Sequence, residues 1–430
     1  MAKRMNSADA GFKQAFDAFV MQDREGGADV AAVVRDIIAA VRADGLAAVK
    51  TYTQKFDGFE LTDDNLAVSA DEIDRAEAAC DADDLAALDF AAARIRAYHE
   101  KQMPHDERYT DDMGVTLGWR WTCVDAAGLY APGGRAAYPS SVLMNAIPAK
   151  VAGVGRLAMA TPAPKGEMNP LVLAAAKRAG IDEIYRIGGA QAIAALAFGA
   201  GAIAPVDVIV GPGNAYVAEA KRQVFGYVGI DSIAGPSEIL VVADAKNDPT
   251  WIAADLLSQA EHDPSSQSVL ITDDGGFADK VSAAVDEQLA ASPRKAIAEA
   301  AWNNNSAIIV VSSLVYAPAL VDRIAPEHLE LAVDDPETLL AKVRHAGAIF
   351  LGRLTPEAVG DYVAGPDHVL PTARAARYAS GLSVMDFLKR TSIIGCDAAA
   401  LAKIGPAAAR LADAEGLASH AKSVRVRLKD

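Results

Sequence analysis

The chain has 430 residues, of which 51% are hydrophobic and 23% charged, and its formal net charge is −16. That length allows a large core and two or more domains. The acidic balance argues against nucleic acid or an anionic membrane as the main partner, because phosphate surfaces are met by concentrated Lys and Arg; a small metabolite suits it better. The first residues, Met1–Ser7, contain no apolar signal-peptide core. The longest uncharged run, Ile187–Val206, is mostly Ala and Gly, which bring little transfer energy to a membrane span. Cys80, Cys123 and Cys396 are far apart and form no CxxC, so neither a disulfide framework nor a thiolate zinc site is signalled. A cytoplasmic enzyme is expected.

In chain order, the first hundred residues read as largely helical. Ala76, Leu85, Leu88, Ala92 and Ile95 recur near helical spacing among charges. From about Gly114 strands and helices alternate. Ala127–Tyr130, Leu157–Ala160, Asp182–Ile187 and Val206–Val210 read as strands. Ser141–Val151, Pro170–Arg178, Ala190–Phe198 and Tyr216–Gln223 read as the helices between and after them. This βα alternation predicts a parallel sheet covered by helices. A second series follows, with strands at Ile239–Val242, Val269–Thr272, Ile308–Val311 and Ile349–Leu351 and helices such as Trp251–Gln259. Gly235-Pro236 marks one crossing between the two units. The tail from Ala398 reads as helical and then alternates at Ser423-Val-Arg-Val-Arg-Leu428.

Three glycine turns follow strands: Ala131-Pro132-Gly133-Gly134, Gly188-Gly189 and Gly211-Pro212-Gly213. The carboxyl ends of strands are where open α/β sheets bind ligands, since helix N-termini and free amides converge there. Tyr130, Gln191 and Asn214 stand beside these turns and suit a nucleotide; a single such glycine more often only makes a βα turn. Gly153-Val-Gly155-Arg-Leu-Ala158 fits a loose G-x-G-x-x-A pattern but has a helix before it and a strand after it. That is the reverse of the dinucleotide fingerprint.

Four polar islands hold four of the seven histidines: Ser258-Gln-Ala-Glu-His262-Asp, Ala325-Pro-Glu-His328-Leu-Glu, Gly360-Asp-Tyr-Val-Ala-Gly-Pro-Asp-His368 and Glu415-Gly-Leu-Ala-Ser-His420. Imidazole beside carboxylate or carboxamide is the material of a nitrogen/oxygen metal site and of acid–base chemistry near neutral pH. Gln259 and His262 are spaced i, i+3 at a helix end and can face one way, although a surface or capping pair has the same spacing. Asp361 could equally cap a turn, and His420 could be a solvated histidine. Glu327 and His328 sit against apolar Leu329 and Leu331, which suits proton transfer through a raised carboxyl pKa; a helix start after Pro326 is the competing reading.

Together these segments resemble histidinol dehydrogenase along essentially the whole chain. The resemblance is carried by residues 128–154, 188–199, 206–226, 230–244, 255–263, 325–331 and 380–392. It implies zinc- and NAD+-dependent oxidation of L-histidinol, through held L-histidinal, to L-histidine. It implies zinc ligands Gln259, His262, Asp361 and His420, and an acid–base pair Glu327 and His328. Ser237, His368 and Glu415 would join these in contacting substrate, and Tyr130, Gln191 and Asn214 would line the NAD+ site. It further implies two Rossmann-like α/β domains without the GxGxxG fingerprint, a helical N-terminal segment (1–25), a discontinuous domain (26–127 and 238–380), an NAD+-side domain (128–237) and a dimerising tail (381–430). The active site would be shared between the chains of a homodimer. One departure is visible: Asp367 precedes His368 where the family often has Asn. A related dehydrogenase of another polar alcohol, a zinc hydrolase using Glu327, and a non-catalytic metabolite-binding protein are the competing readings.

Overall fold

The computed structural model describes residues 2–22, 24, 28–133 and 138–428. Two parallel sheets organise it. The first has five strands in the spatial order Glu183–Tyr185, Arg156–Ala160, Ala126–Tyr130, Val208–Val210 and Gly229–Ile230. In sequence rank this is 3-2-1-4-5, so the order reverses beside Ala126–Tyr130, and a crevice opens there at the carboxyl ends. The strand residues are almost all buried, as expected where helices cover both faces of a parallel sheet.

The second sheet has six parallel strands in the order Lys3–Asn6, Ala307–Val310, Gln267–Thr272, Glu238–Ala243, His328–Ala332 and Ala348–Leu351. Its last five strands repeat the 3-2-1-4-5 rank. Two apolar clusters line its faces, one around Ile252, Leu256, Phe277 and Trp302 and the other around Phe16, Phe19, Val321 and Leu331. A third, antiparallel sheet joins the tail strand Leu388–Gly395 to Thr116–Cys123 and then to Glu107–Thr110.

The structure differs from the sequence expectation in four places. Residues 3–6 of the segment expected to be helical form a strand, because alternating Lys3-Arg-Met5-Asn can add to the edge at Ala307 and bury Met5. The helices Ala28–Asp44, Leu46–Asp57, Ala70–Ala78 and Ala82–Glu100, expected to belong with residues 238–380, pack on the first unit. Val34, Ile37 and Val41 join its core on one face, and Leu88, Ala91 and Ile95 on the other. His328–Ala332, not marked as an element in the sequence, is a central strand, and the competing helix start after Pro326 does not form. The preceding helix Ala317–Ile324 is stopped by Ala325 in the left-handed conformation (φ 50) and then Pro326, and His-Leu-Glu-Leu-Ala is buried on both faces. Finally, the alternating tail continues as the helix Ala418–Arg425, which packs as a hairpin on Ala398–Ala414. Gly134 lies outside the described residues, as does the 25/26 boundary.

Candidate active site

The carboxyl edge of the first sheet faces the amino edge of the second across a cavity of about 810 Å³. The glycine turns Pro132-Gly133, Gly188-Gly189 and Pro212-Gly213 line one side, and Ser237, Gln259, His262, Glu327, His328 and Asp361 line it as well. Ten of the twelve residues singled out in the sequence thus share one space: these six with Tyr130, Gln191, Asn214 and His368. Glu415 and His420 do not line it. Both are exposed, Glu415 at the end of the helix Ala398–Ala414 and His420 in the next helix.

Glu327 immediately precedes the strand His328–Ala332 and His328 opens it, and both are buried. The neighbouring strand fixes them through one residue that the sequence reading missed. The backbone N–H of Glu238 donates to Glu327 Oε2 (2.9 Å), and the Glu238 carbonyl accepts from His328 Nδ1 (2.9 Å). The Glu238 carboxylate in turn accepts from the Glu327 N–H (3.3 Å) and ion-pairs with Arg24. Because a carbonyl only accepts, Nδ1 carries a proton, and in the neutral ring Nε2 is left as the base. His328 Nε2 is buried, has no hydrogen-bond partner, and lies 3.6 Å from Glu357 Oε1 and 3.7 Å from Asp361 Oδ1.

Burial pushes the Glu327 carboxyl up to about 8. Burial acts to lower the His328 imidazole, but the carboxylates of Glu327, Asp361 and Glu357 outweigh it and hold the ring up, to about 10. Burial pushes the Asp361 carboxyl up, but the nearby His328 and His368 rings outweigh it and hold it down at about 2, and Glu357 is pushed up to about 7 by burial and the Asp361 charge. His328 lies within 3.7 Å of carboxylate oxygens of Glu327, Glu357 and Asp361, so these four groups titrate as a set.

Gln259 closes the helix Pro249–Ala260 and is buried with Nε2 unpartnered; His262 lies just past the helix end, exposed, with Nδ1 3.4 Å from Ser237 Oγ. Among the described residues, the tightest group of His, Cys, Asp and Glu ligand atoms is His328, Glu357 and Asp361, within 4.8 Å of one another. Only Asp361 of these was expected as a metal ligand. Glu357 is a further residue that sequence reading missed. Its signal was present: Glu357 and Asp361 are i, i+4 after Pro356, which puts two carboxylates on one helical face.

His368 is pinned at both nitrogens, Nδ1 donating to the Asp361 carbonyl (2.9 Å) and Nε2 paired with Ser141 Oγ (3.2 Å). Asp367 does not line the cavity. It is buried, accepts from the Val369 N–H, and burial raises its pKa well above the usual range. On the glycine side, the Tyr130 hydroxyl accepts the Gly189 N–H (3.0 Å) and is pushed by burial up to about 12. Asn214 Oδ1 caps the helix Ala215–Val224, which realises the structural role while keeping the residue in the cavity wall. Gln191 Oε1 is buried and unpartnered.

The family model for histidinol dehydrogenase matches residues 21–428. A histidinol dehydrogenase of Ruegeria pomeroyi is 62% identical over 428 residues, covering 100% of this chain and 99% of its own. That of Rhodospirillum rubrum is 61% identical over 429 residues, with the same coverage. The crystal structure of a histidinol dehydrogenase from Elizabethkingia anophelis superposes with a TM-score of 0.94 at 36% identity, covering 99% of this chain and 98% of that one.

Proposed function

The chain belongs to the histidinol dehydrogenase family, and from that premise we propose that it oxidises L-histidinol, through enzyme-held L-histidinal, to L-histidine with two NAD+. The observation that carries this reading is the shared cavity, in which a buried Glu-His pair opens into the same space as three strand-end glycine turns. A hydrolase would have no use for those turns, and a binding protein none for the pair.

The donor set suits a divalent zinc ion. The Gln259 amide oxygen, the His262 imidazole and the Asp361 carboxylate are oxygen and nitrogen donors of residues that line the same cavity. Bound there, zinc would supply a docking point for the imidazole and amine of histidinol. In the proposed sequence the neutral form of His328, its Nδ1 proton held on the Glu238 carbonyl, takes the hydroxyl proton at Nε2 as hydride leaves the carbinol carbon for NAD+. Glu327 in its ionised form then takes a proton from the water that attacks the aldehyde, and the hydrate gives a hydroxyl proton to His328, neutral again after releasing the first, and a hydride to the second NAD+. Holding the aldehyde in the cavity between steps would prevent its escape. Tyr130, Gln191 and Asn214 would line the NAD+ site, and Ser237 and His368 would contact substrate, His368 by exchanging its Ser141 bond.

Glu415 and His420 stand outside their own chain's cavity. We assign them to the partner's site in a homodimer, where His420 completes the zinc ligands and Glu415 meets substrate. Two-fold symmetry then yields two equal sites. Among the described residues no helix is long and apolar enough to cross a membrane. The test is histidinol-dependent NADH formation, abolished by chelation and restored by zinc; full activity in metal-free protein would reject the zinc assignment.

A further inference from the structure

The cavity reaches past the glycine turns to a wall made by Val33, Ile37, Lys55, Phe56 and Asp57. These residues come from the helices Ala28–Asp44 and Leu46–Asp57, which pack on the helix Gly189–Phe198 that starts at the Gly188-Gly189 turn. Asp57 is the last residue of its helix, followed by Gly58 in the left-handed conformation (φ 63) that ends it. A carboxylate is misplaced there electrostatically, because the C-terminal end of a helix is already negative. It is also half-buried, and Oδ2 has no hydrogen-bond partner among the described residues. A buried carboxylate oxygen left unpaired costs stability unless a ligand satisfies it.

The surroundings name the ligand. Asp57 is close enough to Tyr130 for its charge to be felt at the phenol, and that phenol is bonded to the Gly189 amide at the helix N-terminus where a pyrophosphate would sit. Val33, Ile37 and the half-exposed Phe56 ring give an apolar wall suited to a flat base. Lys55 is exposed and lies over the Phe56 ring at 5.2 Å. An acceptor-only carboxylate beside an apolar wall and a helix N-terminus matches a ribose diol, whose two hydroxyls are donors.

We infer that Asp57 holds the adenosine ribose diol of NAD+ and is the residue that excludes NADP+. The inference rests on the dehydrogenase reading above and deepens it. A 2′-phosphate removes one donor and sets nearly two negative charges against the carboxylate, so it is rejected on both counts.

The test is calorimetric binding of ADP-ribose and of 2′-phospho-ADP-ribose to the full-length protein and to Asp57→Ser and Asp57→Asn, without histidinol. The wild type is expected to bind ADP-ribose at least about tenfold more tightly than the phosphorylated ligand. Asp57→Ser should weaken ADP-ribose about tenfold or more and abolish the preference, with Asp57→Asn between the two. Both variants should melt at or above the wild-type temperature, since an unpaired buried carboxylate has been removed. Should Asp57→Ser fail to fold, the isosteric Asn variant carries the comparison. An unchanged ligand ratio in the folded variants, or a wild type that binds neither ligand, overturns the assignment. Histidinol turnover judges the parent reading separately: selectivity that depends on Asp57 in a protein inert toward histidinol would sink the substrate and keep the cofactor contact.

Discussion

Lys221→Met tests how the fold holds its cofactor turn. Lys221 is 1% exposed in the helix Ala215–Val224, where Nζ donates to the Gly211 carbonyl (2.9 Å) and ion-pairs with Asp231. Asp231 Oδ2 accepts the Gly211 N–H (2.8 Å), so the two side chains clamp both polar groups of one glycine. Gly211 needs such a clamp. Its φ is +113°, and a Cβ there would lie 2.2 Å from the Tyr130 carbonyl oxygen. Met keeps the length of Lys but strands Asp231, whose side chain is 3% exposed, with an uncompensated charge. Breaking a buried pair from one side costs about 3–5 kcal/mol. At about 2–4 °C per kcal/mol for a large domain, the melting temperature should fall by about 6–20 °C. Lys221→Met with Asp231→Asn should recover much of that, because the stranded charge is gone. Calorimetry measures the fall, and an NAD+ titration should show weaker binding in the single variant. A loss below about 1 kcal/mol with unchanged NAD+ affinity would refute the clamp.

Three further expectations follow from the site. Glu327→Gln should slow histidinal oxidation more than histidinol oxidation, while His328→Asn should slow both, by about 10²–10⁴-fold for loss of a general base; separate assays of the two half-reactions decide, and near-normal histidinal turnover in Glu327→Gln would remove its role. Burial raises the Glu327 pKa from 4.5 to about 8 in the folded chain, so its contribution to stability is complete below about 4.5 and is lost as pH climbs through about 8. Metal-free Glu327→Gln should therefore gain in melting temperature over the wild type between those pH values, and a constant difference across that window would contradict the shift. For the shared site, inactive Glu327→Gln and His420→Asn chains refolded together should regain about a quarter of wild-type activity. Half the dimers are mixed and each mixed dimer has one intact site. Heterodimers that form yet stay inactive would end the idea.

Much of this arrangement was legible because its signals are local. Strand and helix periods with glycine turns marked four of the five strands of the first sheet; Gly229–Ile230, only two residues long, carried no such signal. The polar islands at Gln259, Glu327 and Asp361 stood out against apolar neighbours and converge on one cavity. The strand His328–Ala332 was hidden, because a Pro-Glu-His start resembles a helix entry and only pairing with Glu238–Ala243 and Ala348–Leu351 makes it extended. Lys3–Asn6 was hidden for the same reason, its partner lying some 300 residues away. Glu238, Asp57 and the Lys221–Asp231 pair gave no composition signal. Their meaning lies in burial and in bonds between distant segments, which a sequence does not display. Glu357 is the exception, readable from its spacing to Asp361.

A four-electron oxidation at one site is read out by the yield of NADH from limiting L-histidinol with zinc and excess NAD+. Two NADH and one L-histidine per L-histidinol are expected, with no aldehyde captured by an external trap. One NADH per histidinol, with histidinal released to the trap, would contradict it.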